Sequence, residues 1–258
     1  MRVLVVGGTG FIGTSLCSEL KRRGHDVTAM SRNPGGGDLP GGVNKVMGDV
    51  TEYGSISGAF EGMDAVYNLV ALSPLFKPSG GDRMHDRIHR QGTENVVRAA
   101  EEHGVDRLVQ MSALGADPDG ATAYIRSKGQ AEGVVTDADF EYTIFRPSVV
   151  FGDGGEFVSF TKVLAPPYVS ALPGGGKTRF QPIWVGDLVP MLADAVESDD
   201  HAGETYEIGG PDKLTLAEIA RQIHRSDGRS TTVVPVPMAL AKLGLSVGDL
   251  IPGFPMGK

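Results

Sequence analysis

Gly7, Gly10 and Gly13 stand between the apolar run Val3-Leu4-Val5-Val6 and a stretch in which Ile12, Leu16 and Leu20 recur every four residues. A strand that turns at once into a helix is where glycines at this spacing handle phosphate. The first makes the tight turn, the second lets backbone amides approach a pyrophosphate, and the third lets helix and strand pack closely. The free N–H groups and positive end of the helix then face the anion. Gly7, Thr9, Gly10, Phe11, Ile12 and Gly13 are therefore the expected dinucleotide contacts. A second apolar run ends in Met30-Ser31-Arg32, where a site preferring NAD offers a carboxylate to the ribose about 20 residues beyond the glycines. Here Ser31 and Arg32 take that place. A guanidinium pairs with a 2′-phosphate, and no carboxylate repels one, so NADP(H) is expected in preference to NAD(H).

His85 and His89, with Asp82 and Asp86 beside them, have the i, i+4 spacing that can hold a metal on a helix. Arg83, Arg87 and Arg90 interleave with them, and a cationic neighbourhood opposes a divalent ion. The segment reads as a solvated helix face of mixed charge, and no metal site is expected. Cys17, the single cysteine, rules out an intramolecular disulfide framework and falls on the inner face of the first helix as a packing residue.

The elements that would position these residues follow from periodicity. Val3–Val6, Val27–Met30, Ala65–Leu69, Leu108–Met111 and Thr143–Phe145 are strand candidates, with a shorter one near Lys45–Met47; Arg83–His103 and Thr122–Val135 read as helices. Strands alternating with helices predict a doubly wound parallel α/β sheet, which binds ligands at the carboxyl ends of its strands. The dinucleotide-binding domain is expected over residues 1–152. A smaller substrate lobe is expected over 153–258, with a segment near 184–210 returning to the first domain. Val185–Val196 and Leu214–His224 look helical, the latter with Thr215 and Glu218 at capping-box spacing. Asn33–Gly42, with five glycines, reads as a mobile surface loop.

The chain has 258 residues, 40% hydrophobic and 22% charged, enough for a sizeable core. Its 37 glycines and 16 prolines show no Gly-X-Y period, which excludes a collagen-like chain, and its net charge of -8 opposes binding to nucleic acid. No signal peptide and no apolar stretch of transmembrane length is visible, so a cytoplasmic protein is expected. Pro237–Pro255 alternates apolar residues with Lys242 and Asp249, a pattern suited to contact with a partner or a membrane surface.

Taken together, Gly7–Gly13, Gly48-Asp49-Val50, Gly92-Thr93-Glu94-Asn95-Val96, Tyr124-Ile125-Arg126-Ser127-Lys128, Arg146-Pro147-Ser148, Gln181–Asp187 and Tyr206–Gly210 resemble an extended or atypical short-chain dehydrogenase/reductase over essentially the whole chain. Within that superfamily the chain is similar to the group containing the nucleotide-binding accessory subunit of respiratory complex I, with epimerase-like relatives further off. The resemblance implies that Asp49 contacts adenine and that Val50, Val70, Ala71, Leu72 and Pro147 join the cofactor contacts. Val70 and Ala71 read equally well as core.

Tyr124 and Lys128 match the superfamily's Tyr-x-x-x-Lys pair, and four residues on a helix put both on one face. Hydride transfer to a carbonyl needs a proton donor. Working near neutral pH asks a tyrosine to shift by about 3 units, which a nearby ammonium and the oxidised nicotinamide ring would help supply. Lys128 would also bind the nicotinamide ribose. Ser112 is the candidate hydroxyl that holds the substrate oxygen; were the slot one residue later, Ala113 would leave it empty. Asp187 resembles a helix-capping position. Phe157, Phe160, Tyr168, Arg179 and Gln181 are candidates to line the substrate pocket, whose apolar character suits a hydrophobic ligand. Two readings stand. One is an NADP(H)-dependent oxidoreductase or epimerase-like enzyme acting on a small carbonyl or hydroxyl substrate; the other is a noncatalytic NADPH-binding structural or redox-sensing protein. The oligomeric state stays open.

Overall fold

The computed structural model describes residues 1–237. They fall into two units. The first comprises Met1–Leu72, Pro78–Pro147 and Val185–Ile208. Its sheet is built from β1 (Arg2–Val6), β2 (Asp26–Ser31), β3 (Asn44–Met47), β4 (Ala65–Asn68), β5 (Arg107–Met111), β6 (Glu141–Pro147) and the edge strand Glu204–Ile208. The spatial order is Glu204–Ile208, β6, β5, β4, β1, β2, β3, and every neighbouring pair is parallel. All seven carboxyl ends therefore lie along one edge.

The apolar runs form strands because both faces of a parallel sheet are covered by helices. Leu4, Val66, Leu108 and Ile144 are buried together with Val96, Ala99 and Ala100 from the helix Gly92–Glu102, each large side chain contributing roughly 1.5–3 kcal/mol of burial. On another helix, α1 (Phe11–Arg22), Gly13, Leu16, Cys17 and Leu20 are buried, the stripe that the sequence periodicity indicates. Cys17 lies 3.8 Å from the Gly8 carbonyl, and burial pushes its thiol up to about 12.

The reading differs from the structure at several places. Arg83–His103 is not one uniform helix: residues Asp86–Gln91 form a π-turn between Arg83–His85 and Gly92–Glu102. Leu214–Thr215 is a short strand, and the helix begins at Leu216 with Thr215 as its cap; the capping box with Glu218 is formed. The strand Glu204–Ile208 carries little apolar period because only one of its faces is even partly shielded. Asp187 is exposed in the first turn of the helix Val185–Glu197, where its charge complements the helix terminus without a side-chain capping bond.

The second unit comprises Ser73–Lys77, Ser148–Trp184 and the described residues from Gly209 onward. It holds three two-stranded pairings and the helices Glu156–Leu164 and Leu216–Ser226 around Ala165, Leu172, Ala217 and Ala220. Among the described residues no helix is long and apolar enough to cross a membrane. The amphipathic pattern of Pro237–Pro255 lies, beyond Pro237, outside the described residues.

Candidate active site at the carboxyl edge of the sheet

The glycine loop leaves β1 with Gly7 at φ +87°, a backbone state that favours glycine. Its neighbours explain the others. A Cβ on Gly13 would stand 2.2 Å from the Gly7 carbonyl oxygen, and one on Gly8 would stand 2.6 Å from the Ala29 Cβ, so the loop is pressed between α1 and β2. Gly10 caps α1 with no side-chain hydrogen bond, and no acidic residue occupies the first turn. The amide end of α1 is thus left to a ligand.

Around this loop the other expected contacts gather at strand ends. Gly7 and Gly8 donate to the Met30 carbonyl, next to Ser31. The Ser31 hydroxyl is buried and has no partner, and Arg32 is exposed and forms no ion pair with another described residue. A Cβ on Gly37 would lie 2.8 Å from the Thr9 Cβ, so the glycine-rich segment after Arg32 folds over the phosphate loop. Asp49 follows β3 and uses Oδ1 to accept from the Thr51 amide and hydroxyl, both at 2.9 Å. Val50 is buried in the core against Gly92, and Val70 packs on the same core, while Ala71 is exposed. Pro147 is buried at the end of β6, where its carbonyl accepts from the Leu114 amide. A helix terminus free of acid, an orphan hydroxyl at the end of β2 and a free guanidinium beside it fit a dinucleotide phosphate and ribose.

Tyr124 and Lys128 project from the helix Ala123–Thr136, whose start is fixed by Thr122 accepting from the Ile125 amide at 3.2 Å. Lys128 is fully buried and donates to the Met111 carbonyl at 2.8 Å, one residue from Ser112. Burial lowers its pKa to about 8, opposed by Glu132. Burial also pushes the Tyr124 phenol up to about 12. The expected downward pull of the ammonium on Tyr124 is absent from the protein alone, because desolvation of the phenolate dominates. Ser112 is buried with its hydroxyl unpartnered, and its amide donates to the Phe145 carbonyl at 2.8 Å.

His85 and His89 correct the reading of a solvated face. They are 6% and 2% exposed and sit beside Tyr124, with ring centroids 5.7 and 5.4 Å from its ring in edge-on geometry. The charged residues occupy the other side of the segment, where Arg90 pairs with Asp86 and Glu94. Among the described residues no cluster of metal-ligating side chains is found. The signal that could have found the histidines is spacing: His85, Ile88, His89, Gly92 and Val96 repeat at three and four residues, and all are buried. A buried amide, Asn68, likewise went unremarked in the sequence; from β4 its Nδ2 donates to Gln110 on β5 and to Thr93 on the helix Gly92–Glu102.

In the second unit, Phe157 packs on Phe180 and Phe160 on Phe76, Gln181 donates to the Gly210 carbonyl, Arg179 is exposed and Tyr168 is 71% exposed.

A family model described as NAD(P)H-binding matches residues 7–162. The chain is 30% identical over 251 residues to the mitochondrial NADH dehydrogenase [ubiquinone] 1 alpha subcomplex subunit 9 of Arabidopsis thaliana, covering 92% of this chain and 61% of that protein. It is 29% identical to the chloroplastic divinyl chlorophyllide a 8-vinyl-reductase of Cucumis sativus, covering 98% and 63%. The chain thus spans about six-tenths of the length of these relatives. In fold it is similar to the UDP-glucose 4-epimerase of Thermus thermophilus in complex with NAD, with a TM-score of 0.78, 21% identity, and 95% and 93% of the two chains covered. With the glycine loop, strands β2 to β6 and the Tyr-Lys helix all inside residues 7–162, the chain belongs to the NAD(P)H-binding family, in keeping with its resemblance to extended and atypical short-chain dehydrogenase/reductases.

Proposed function

We propose that the protein is an NADP(H)-dependent reductase of a small carbonyl substrate, with Tyr124 as proton donor. The observation that carries this reading is that Tyr124 lies on the helix that also seats the buried Lys128, with the unpartnered Ser112 hydroxyl at the end of β5. A nicotinamide bound here would supply the hydride. Tyr124 then delivers its proton to the developing oxyanion, Lys128 stabilises the phenolate left behind, and Ser112 anchors the substrate oxygen. The reductase named among the relatives supports redox turnover at this kind of site.

The test is Tyr124→Phe. Turnover of NADPH against a panel of carbonyl compounds falls at least a hundredfold, in line with loss of a general acid, while NADPH affinity read by its fluorescence changes less than threefold. Turnover that survives the substitution overturns the assignment. Preference for the 2′-phosphate rests on Arg32, exposed beside the orphan Ser31 hydroxyl. Arg32→Asp weakens NADPH by tenfold or more and NADH by less than threefold, about a 1.4 kcal/mol difference for each factor of ten; equal losses remove the preference.

A second reading, an NADPH-holding subunit without turnover, draws on the complex I relative and on the Lys128 ammonium being committed to the Met111 carbonyl. Under it Tyr124→Phe changes no assay and bound NADPH exchanges over hours.

A further inference from the structure

His89 sits in the π-turn Asp86–Gln91, a local widening that concentrates at functional sites. Both its ring nitrogens are engaged. Nε2 lies 2.9 Å from the Leu72 amide, which can only donate, so Nε2 is the acceptor. Nδ1 lies 2.9 Å from the Ser127 hydroxyl. With Nε2 bare, a neutral ring carries its proton on Nδ1 and donates it to Ser127. Ser127 in turn donates to the Tyr124 carbonyl at 3.0 Å. The chain of bonds has one direction: Leu72 N–H to His89, His89 to Ser127, Ser127 to the Tyr124 backbone. It joins the segment just beyond β4 to the first turn of the helix that carries Tyr124.

We propose that His89 is a positioning residue: a neutral imidazole locked as the Nδ1–H tautomer, which ties the Leu72 end of the nucleotide edge to the Tyr124 helix and fixes the tyrosine against it. A cationic ring could not accept from Leu72, and it would face the buried Lys128 ammonium; burial, Lys128 and His85 together hold its pKa down to about 2. The groups facing the ring are Tyr124, His85, Ser127 and Lys128, none of them anionic, so nothing nearby favours protonation. The catalytic consequence rests on the reading of Tyr124 as proton donor; the tether itself does not.

Two measurements on the full chain test it, neither requiring a substrate. In long-range proton–nitrogen spectra of ¹⁵N-histidine-labelled protein, assigned with His89→Gln, the His89 pattern is that of a neutral Nδ1–H ring, unchanged from pH 5 to 8. An Nε2–H pattern, or titration in that range, overturns the proposal. In protein labelled with 3-fluorotyrosine, assigned with Tyr124→Phe, His89→Phe keeps a ring beside Tyr124 but removes both nitrogens. The Tyr124 fluorine resonance then shifts or splits, Ser127→Ala reproduces the change, and the double variant adds nothing further. A Tyr124 resonance unmoved by His89→Phe means that the ring only packs, and the proposal falls. Should His89→Phe fail to fold, the wild-type tautomer remains decisive. If Tyr124→Phe leaves turnover intact while the tether is observed, the catalytic reading fails and the positioning role stands.

Discussion

Lys128 is 1% exposed, and burial lowers its pKa from 10.5 to about 8. Its unfolded form therefore binds a proton more tightly between pH 8 and 10.5. Stability contributed by the neutral amine is complete above 10.5 and is lost as pH falls through 8, so at neutral pH the buried ammonium destabilises the fold by about 3 kcal/mol. Replacement by Met isolates this. Urea titrations at pH 7.5, 9 and 10.5 should show wild type gaining about 3 kcal/mol relative to Lys128→Met across that range. A constant difference would mean that the amine stays charged in the folded protein. Under the proposed function the same substitution also weakens NADPH binding at neutral pH, because the family resemblance puts this amine at the nicotinamide ribose. A buried amine that destabilises its own fold, bonded to the Met111 carbonyl one residue from Ser112, is what the proposed function asks of Lys128.

At the scale of elements, the helix Ala123–Thr136 carries two glycines that behave oppositely. A Cβ on Gly129 would stand 2.3 Å from the Asp117 carbonyl carbon and the Pro118 nitrogen, so the helix can approach that turn only without a side chain. Gly133 is exposed with nothing within 4 Å of its Cβ position. Gly133→Ala should stabilise the protein by about 0.5–1 kcal/mol through helix propensity alone. Gly129→Ala should destabilise it by at least about 2 kcal/mol and, by pushing the helix off the turn, disturb Tyr124. Thermal unfolding of both variants decides; equal effects would mean that the close approach is not rigid.

The same elements show what could be read from sequence. The glycine loop, the order of strands and helices and the capping box were legible because turn geometry and burial periodicity are local. The π-turn was not, since nothing in Asp86–Gln91 marks one extra residue in a turn. The inward-facing histidines were masked by the arginines interleaved with them. Ser127 carried no signal because its partners, His89 and the Tyr124 carbonyl, meet it only in the folded chain.

Over the whole molecule, pH connects these local facts to stability. Several carboxylates are held below their ordinary range by cationic partners, among them Glu19 at about 2 beside Arg22 and Arg23, and Asp86 beside Arg90. Unfolded carboxylates titrate near ~4, so their contribution is lost only in stronger acid. Histidine acts earlier. Burial lowers His89 to about 2 and lowers His85 as well, whereas an unfolded histidine titrates near 6.5. Below pH 6.5 the unfolded chain gains a proton that the folded one refuses, so stability full above 6.5 falls as pH decreases. For His89 alone the slope approaches about 1.4 kcal/mol per pH unit, or about 1.6 kcal/mol between pH 6.5 and 5. Denaturant unfolding over that interval should show this loss in wild type, and His89→Gln should flatten it although the variant starts less stable at pH 7. Parallel curves for the two proteins would mean that His89 takes a proton within the fold. In that case its bond from the Leu72 amide could not persist in acid, and loss of NADPH affinity over the same pH interval would follow.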